Sequence, residues 1–337
     1  MAKNKKEITV TETVKGASLD TFNKQWKNVI FDANFIVDTP KQVIPVSPQL
    51  DIGLNGGIPE GCWALFSGKP KCGKTTTALQ FCANAQKEEN GNRHIYYIDV
   101  EGRLKKLNLT GVHDLNHNKI TVIRSSAERI LTGEDFLNCV DNIVRSTQKS
   151  IILVDSISAL CANSESVNDI SGRSMPTSPR AIAQFCRKMA TIVPIQDNIL
   201  ICILHLISNM SGYGGPKEDG GVKLQYQADV KLRCMSVDTW EDGRGQTPNW
   251  SVDYSALGPP GRKIKSHIRY GFGIDETLEL IDIGIDFGLI TLGGSWYTCD
   301  FMKDTPKFQG KENLHEYLST NTEAIDILNN NIREMMS

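Results

Sequence analysis

One short segment restricts this chain more than any other: Gly68-Lys69-Pro70-Lys71-Cys72-Gly73-Lys74-Thr75. It fits Gly-x-x-x-x-Gly-Lys-Ser/Thr and lies between an apolar run, Trp63-Ala64-Leu65-Phe66, and a helical stretch from Thr75 to Gln86. Between a strand and a helix, two glycines let the backbone wrap so that its N–H groups point at phosphates. The helix adds its positive N-terminal end. The segment thus predicts an ATP site built from Gly68, Lys69, Pro70, Lys71, Cys72, Gly73, Lys74, Thr75 and Thr76. Lys74 is expected at the β- and γ-phosphates and the Thr75 hydroxyl at Mg²⁺. The bland alternative, a glycine turn with a solvated lysine, is disfavoured by the flanking strand and helix.

The pattern around the loop is that of an α/β protein. From about residue 44 to 273, short apolar strands (His94 to Val100, Ile151 to Val154, Ile199 to Leu204) alternate with helical stretches (Phe136 to Arg145, Ala181 to Ile192). Near-continuous apolar strands in βαβ alternation predict a mostly parallel twisted sheet with helices on both faces. Two long polar loops interrupt it, at about 163–179 and 208–221, and loops of that length inside a compact domain are usually functional or disordered. A third stretch, Glu241–Gly261, is rich in Gly and Pro and is expected to be irregular. Residues 1–43 form a polar N-terminal segment. Phe22, Trp26 and Ile30 in it fall at helical spacing, on a helix that packs on the core or on a neighbouring subunit. Residues 274–337 are expected to form a small α+β C-terminal domain.

Two strand ends carry acid chemistry. Asp155 closes Ile151-Ile152-Leu153-Val154, the place where open α/β sheets bind ligands, and is expected at Mg²⁺. Taken alone it would read as a helix cap. Tyr97-Ile98-Asp99-Val100-Glu101 ends a second strand, and hydrolysis needs a carboxylate to orient water and accept its proton. Glu101 is the better candidate for that catalytic role, beside Lys74, with Asp99 a strand-end structural group.

Composition narrows the setting. The 337 residues carry a net charge of −2, so binding a polyanion by bulk charge alone is disfavoured and a local basic groove stays open. No apolar run approaches the ~20 residues that span a bilayer. A basic, polar N-terminus with no apolar segment behind it argues against a secretory signal. Nine dispersed cysteines without a Cys-x-x-Cys pair suggest reduced thiols and a cytoplasmic location.

Beyond the phosphate loop, the chain resembles the RecA-type homologous recombinases and is read as a divergent bacteriophage member. The likeness begins at Leu50-Asp51-Ile52-Gly53-Leu54-Asn55-Gly56-Gly57-Ile58-Pro59-Glu60-Gly61 and continues through Asp99-Val100-Glu101 and Val154-Asp155-Ser156. It reappears at Gly220-Gly221-Val222-Lys223-Leu224-Gln225-Tyr226, Tyr270-Gly271-Phe272-Gly273-Ile274 and, near the end, Gly294-Ser295-Trp296-Tyr297. Coverage runs in order over roughly residues 44–337.

The resemblance implies a RecA-like P-loop ATPase core, with ATP hydrolysis coupled to DNA strand exchange. Its partners would be single-stranded DNA and homologous duplex DNA, and its assembly a helical filament of identical subunits. It makes the two long loops DNA-binding, with Met175 wedged between bases, Arg180 and Arg187 at phosphates, Tyr213 in an aromatic-glycine motif and Gly220-Gly221 clasping the backbone. Arg180 and Arg187, seven apart, fall on one helix face. Inserting Met175 between base steps would cost unstacking energy and stretch the strand. Singly, each arginine reads equally as a solvated surface charge and Met175 as a small local core.

Two positions depart from the family pattern. Its nucleotide-sensing polar residue maps onto Leu204-His205-Leu206 only with a one-residue shift, so His205 is either an ATP sensor or a buried histidine satisfied by a backbone carbonyl. Its lysine pair that reaches the neighbour's ATP maps onto Tyr254 and Ala256, which carry no cation; Arg262, Lys263 or Lys265 are nearby substitutes. Two other readings of the chain stay open: a ring-forming RecA-fold helicase or recombination mediator, and a P-loop ATPase without DNA activity.

Overall fold

The computed structural model describes residues 24, 26, 29, 31, 33–160, 178–207 and 216–336. Met1–Gln42 and Val43–Ser337 are separate units. Within the first, a short helix Ala33–Val37 follows Phe31, whose ring stacks on Phe35 at 4.8 Å. Of the expected Phe22-Trp26-Ile30 stripe, Phe22 and Ile30 lie outside the described residues.

The second unit opens with β1 (Val43–Ile44) and β2 (Ile58–Pro59), paired antiparallel around the helix Pro48–Leu54. The strands of the large sheet follow in chain order: β3 (Trp63–Gly68), β4 (Ile95–Asp99), β5 (Ile120–Arg124), β6 (Ile151–Asp155), β7 (Ile199–Ile207), β8 (Lys217–Asp219), β9 (Val230–Thr239), β10 (Gly245–Tyr254), β11 (Lys263–Lys265), β12 (Ile268–Arg269) and β13 (Gly273–Ile274). Their spatial order is β13-β12-β10-β9-β3-β7-β6-β4-β5, with β11 on β10 and β8 on β7. The six strands from β9 to β5 are mutually parallel, and the remainder pair antiparallel.

Period-2 alternation splits the apolar strands between two cores. Ala64, Phe66, Tyr97, Leu153 and Ile201 face a cluster with the phosphate-loop helix Lys74–Ala85, including Leu79 and Phe81. Their neighbours Leu65, Ile98, Ile152, Leu200 and Leu204 face the helices Gly133–Ser146 and Ser178–Ile195. The first of those two helices starts on a capping box: Asp135 N–H donates to Thr132 Oγ1, and Thr132 N–H donates to Asp135 Oδ2. A third core, with Leu280, Ile283, Leu314 and Leu328, joins three helices to the antiparallel sheet of β14 (Ile290–Gly293), β15 (Trp296–Cys299) and β16 (Lys307–Gln309). The fold is a RecA-like α/β sheet with helices on both faces and a small antiparallel sheet near the C-terminus.

Two local expectations change. The Gly- and Pro-rich stretch Glu241–Gly261 is not irregular throughout, because Gly245–Tyr254 is the ten-residue strand β10, paired along β9. Trp250 and Val252 are buried in its register, and that burial outweighs the poor strand propensity of Pro248, which sits beside a bulge at Asn249/Trp250. The second long loop is also shorter than its polar composition suggests. Lys217–Asp219 turns back as β8 against β7, pairing Asp219 with His205 and Lys217 with Ile207.

Candidate nucleotide site

Gly68 and Gly73 bracket the phosphate loop with φ of 157° and 96°. Gly73 needs the left-handed region, and a Cβ there would also meet Ile268 Cδ1 at 2.4 Å. At Gly68 a Cβ would meet Cys72 Sγ at 2.6 Å and Cys234 Cβ at 2.9 Å, so the loop lies flush against β9. Lys74 is buried, its Nζ donating to the carbonyls of Gly68 (3.0 Å) and Lys69 (2.8 Å). The Cys72 thiol is lowered below its ordinary value, first by a hydrogen bond from Cys234 and further by the charge of Lys74.

The loop opens onto a cavity of about 810 Å³ that runs across the carboxyl ends of β3, β7, β6 and β4. Asp155 lines it. Its Oδ2 accepts from Thr75 Oγ1 at 2.8 Å and from the Tyr97 hydroxyl at 2.6 Å. Burial raises the Asp155 carboxyl; the two hydrogen bonds oppose that rise, and the neighbouring Glu101 and Asp99 reinforce it. Asp99 is buried and accepts from the backbone N–H groups of Arg103 (3.0 Å) and Leu104 (3.2 Å), which makes it the turn anchor after β4.

Glu101, its side chain largely buried, gathers three partners. Ser156 Oγ donates to its Oε1 at 2.8 Å, His205 Nε2 lies 3.3 Å from the same oxygen, and Arg103 Nη1 lies 3.2 Å from Oε2. His205 sits near the end of β7 as the parallel partner of Gly68 and the antiparallel partner of Asp219. Its ring faces a carboxylate, not a backbone carbonyl, and its backbone N–H donates to Ser158 Oγ at 2.9 Å. Thr75 and Asp155 supply hard oxygen donors of the kind Mg²⁺ takes, and among the described residues no cluster of three or more His, Cys, Asp or Glu side chains is placed to hold a metal ion by itself.

Among the DNA-loop candidates, Arg180 and Arg187 are both exposed on the helix Ser178–Ile195. Gly220 is buried where a Cβ would meet Leu204 Cδ2 at 2.4 Å, and Gly221 has φ of 79° at the start of the helix Val222–Gln227, so packing and backbone geometry demand both glycines. Met175 and Tyr213 lie outside the described residues. Tyr254, at the end of β10, has its ring 5.3 Å from Lys231 Nζ; Ala256 is exposed. Arg262 donates to the Ile52 carbonyl at 2.6 Å, while Lys263 and Lys265 are exposed on β11.

Sequence reasoning missed four contributors to this cavity. Tyr97 reads as core but ends on Asp155. Arg103 follows Glu101 by two residues, a spacing that carries no recognisable motif. Gln246 donates to the Lys71 carbonyl at 3.2 Å and accepts from Tyr270 at 3.1 Å, bracing the phosphate loop from β10. For Gln246 and Tyr270 the only signal was Tyr270-Gly271-Phe272-Gly273, a segment whose link to the loop, through Gln246, depends on the sheet order.

A phosphate loop, a strand-end aspartate and a strand-end glutamate arranged along a RecA-like sheet define a P-loop ATPase core. Comparison with known proteins narrows that class. Residues 36–275 match the family model for the RecA N-terminal domain, and residues 278–337 match that for the RecA C-terminal domain. The chain belongs to the RecA family of recombinases. It is 30% identical to Protein RecA of a Nitratiruptor species over 338 aligned positions, covering 96% of this chain and 95% of that protein. Protein RecA of Nocardia farcinica is 30% identical over 88% of the chain, and that of Frankia alni 31% over 88%, with 84% of each relative covered. Among the described residues, no helix is long and apolar enough to cross a membrane.

Proposed function

We propose that this protein is an ATP-dependent DNA recombinase that assembles as a helical filament on single-stranded DNA and promotes homologous pairing and strand exchange. Membership of the RecA family supports the class. The observation that carries the coupling of nucleotide to DNA is the position of His205, which touches Glu101 on one side and pairs with β8 on the other. Between β7 and β8 lies the segment assigned to DNA, so a change at the γ-phosphate has a path of two hydrogen-bonded strands to that loop.

In this reading Lys74 binds the β- and γ-phosphates, and the loop N–H groups from Gly68 to Thr76, apart from Pro70, which has none, hold the rest of the triphosphate. Thr75 and Asp155 hold Mg²⁺, which neutralises phosphate charge when bound. Glu101 orients a water and accepts its proton, while Ser156 and His205 fix the carboxylate. Arg180 and Arg187 meet DNA phosphates, and Gly220-Gly221, Met175 and Tyr213 complete the DNA surface. Sequence information comes from base pairing, so no side chain needs to read base edges.

The test is hydrolysis measured with and without single-stranded DNA, together with strand exchange between circular single strands and linear duplex. DNA-stimulated hydrolysis lost in Lys74→Ala, and filaments in images taken with a slowly hydrolysed ATP analogue, are expected. Closed rings on DNA, or hydrolysis indifferent to DNA, would sink the reading.

A further inference from the structure

We infer that Arg103 is a catalytic residue acting in cis: its guanidinium leaves Glu101 and binds the γ-phosphate of ATP held in the same subunit. The inference deepens the ATPase reading above and rests on it.

Three observations converge. Arg103 lines the same cavity as Lys74 and Glu101, on the side formed after β4, whereas Lys71 and Lys74 lie on the phosphate-loop side. Its side chain is 81% exposed, yet its backbone is pinned by the N–H donated to the buried Asp99 at 3.0 Å, so the head can move on a fixed base. Its partner is the Glu101 oxygen Oε2, whereas Ser156 and His205 both meet Oε1. Another basic group near this end of β4 is engaged differently: Arg124 lies 3.7 Å from Asp99 and donates to the Gly102 carbonyl.

That arrangement sets up an exchange of anions. While paired with Arg103, Oε2 is covered, and it is the oxygen left to receive a proton from water. A triphosphate entering the cavity offers a more highly charged, bidentate acceptor suited to a planar guanidinium. When Arg103 moves to it, Oε2 is freed. The water oxygen then bonds to the γ-phosphorus, its proton passes to Glu101, and the bond from the γ-phosphorus to the β,γ-bridging oxygen breaks, releasing ADP and phosphate. Arg103 balances the charge spread over the equatorial oxygens of the transferring group, a role that elsewhere falls to a cation supplied in cis or in trans. The positions of Tyr254 and Ala256 supply no such cation.

The experiment uses the full-length protein on single-stranded DNA. Arg103→Ala is expected to lower kcat about 10³-fold while KM stays within about threefold, and Arg103→Lys to recover part of it. ADP with aluminium fluoride should bind Arg103→Ala far more weakly than wild type, with ADP alone unchanged, a contrast that a merely structural role would not produce. Cis action is read by mixing Arg103→Ala with Lys74→Ala subunits, which should give no more activity than their weighted sum. Activity above that sum overturns the cis assignment, because it means that Arg103 serves a neighbour's site. Wild-type kcat in Arg103→Ala, with hydrolysis still lost in Lys74→Ala, overturns the role of Arg103 alone. Hydrolysis that survives Lys74→Ala overturns the ATPase reading and this inference with it.

Discussion

His205 Nε2 lies 3.3 Å from Glu101 Oε1, although the two residues are far apart in the chain. The contact joins the turn after β4 to the end of β7, across the strand that carries Asp155. It places an imidazole ring between the group proposed to activate water and the strand leading to the loop proposed to bind DNA.

Glu101→Gln keeps the size and the Ser156 contact but removes the proton acceptor. Hydrolysis is expected to fall ~10²-fold or more, with nucleotide affinity nearly unchanged. Phosphate release and titration with a fluorescent ATP analogue measure the two separately. A matched loss of binding and turnover would remove Glu101 from the chemistry.

His205→Phe retains a ring but breaks the link to Glu101. The stimulation of hydrolysis by DNA should drop by about 5-fold or more, the range of a modest coupling energy. If the ratio of rates with and without DNA is that of wild type, His205 is only a packing residue.

Glu218 on β8 has an almost wholly buried side chain. It accepts from Ser67 on β3 (2.8 Å) and pairs with Lys231 (2.6 Å) and Arg233 (3.3 Å) on β9; both cations also reach Asp253 on β10. Glu218→Ala leaves a buried lysine charge short of its closest anion, a change that costs ~3–5 kcal/mol. Chemical denaturation should register that loss, and the smaller change Glu218→Gln should lose less. Equal stability of all three proteins would mean that water reaches this network freely.

Arg187 is exposed and has no acidic residue within its own helix, so its removal should act on DNA and not on folding. Arg187→Ala is expected to weaken single-strand binding without sequence preference and to reduce the salt slope by about 1. Fluorescence anisotropy at several salt concentrations checks it. An unchanged slope excludes a phosphate contact.

Burial raises the Glu279 carboxyl to about 7, despite hydrogen bonds from Ser266, from the Gln49 N–H and from the His267 N–H. The unfolded chain releases this proton near its ordinary 4.5, while the folded chain keeps it. The contribution is therefore complete below about 4.5 and declines as pH rises to about 7, by ~1.4 kcal/mol per unit at most. Asp51, also raised by burial and by Glu279 itself, adds the same sign. Glu279→Gln should flatten denaturation midpoints between about pH 5 and pH 7. A wild-type protein that gains stability across that interval through this carboxyl would contradict the assignment.

Local backbone geometry made the phosphate loop legible, because Gly73 needs the left-handed region and Gly68 is crowded by Cys72 four residues on, and continuous apolar runs marked β3, β6 and β7 as buried strands; the contacts of the two glycines with Ile268 and Cys234 came only from the fold. The same chain-local view misjudged Gly245–Tyr254, since Trp250 and Val252 become core residues only when β9 lies alongside. Strand register, not spacing along the chain, decided which side chains meet. Gly68 pairs with His205, and Asp99 pairs with Asp155. Those two registers gather Glu101, His205, Arg103 and Asp155 at one rim, and they are set by packing both faces of the sheet at once. The sequence by itself determined where the loop proposed to hold phosphate lies. Only the tertiary structure decided what faces it, because a carboxylate acquires its partners from strands whose neighbours are chosen by the burial of the whole sheet.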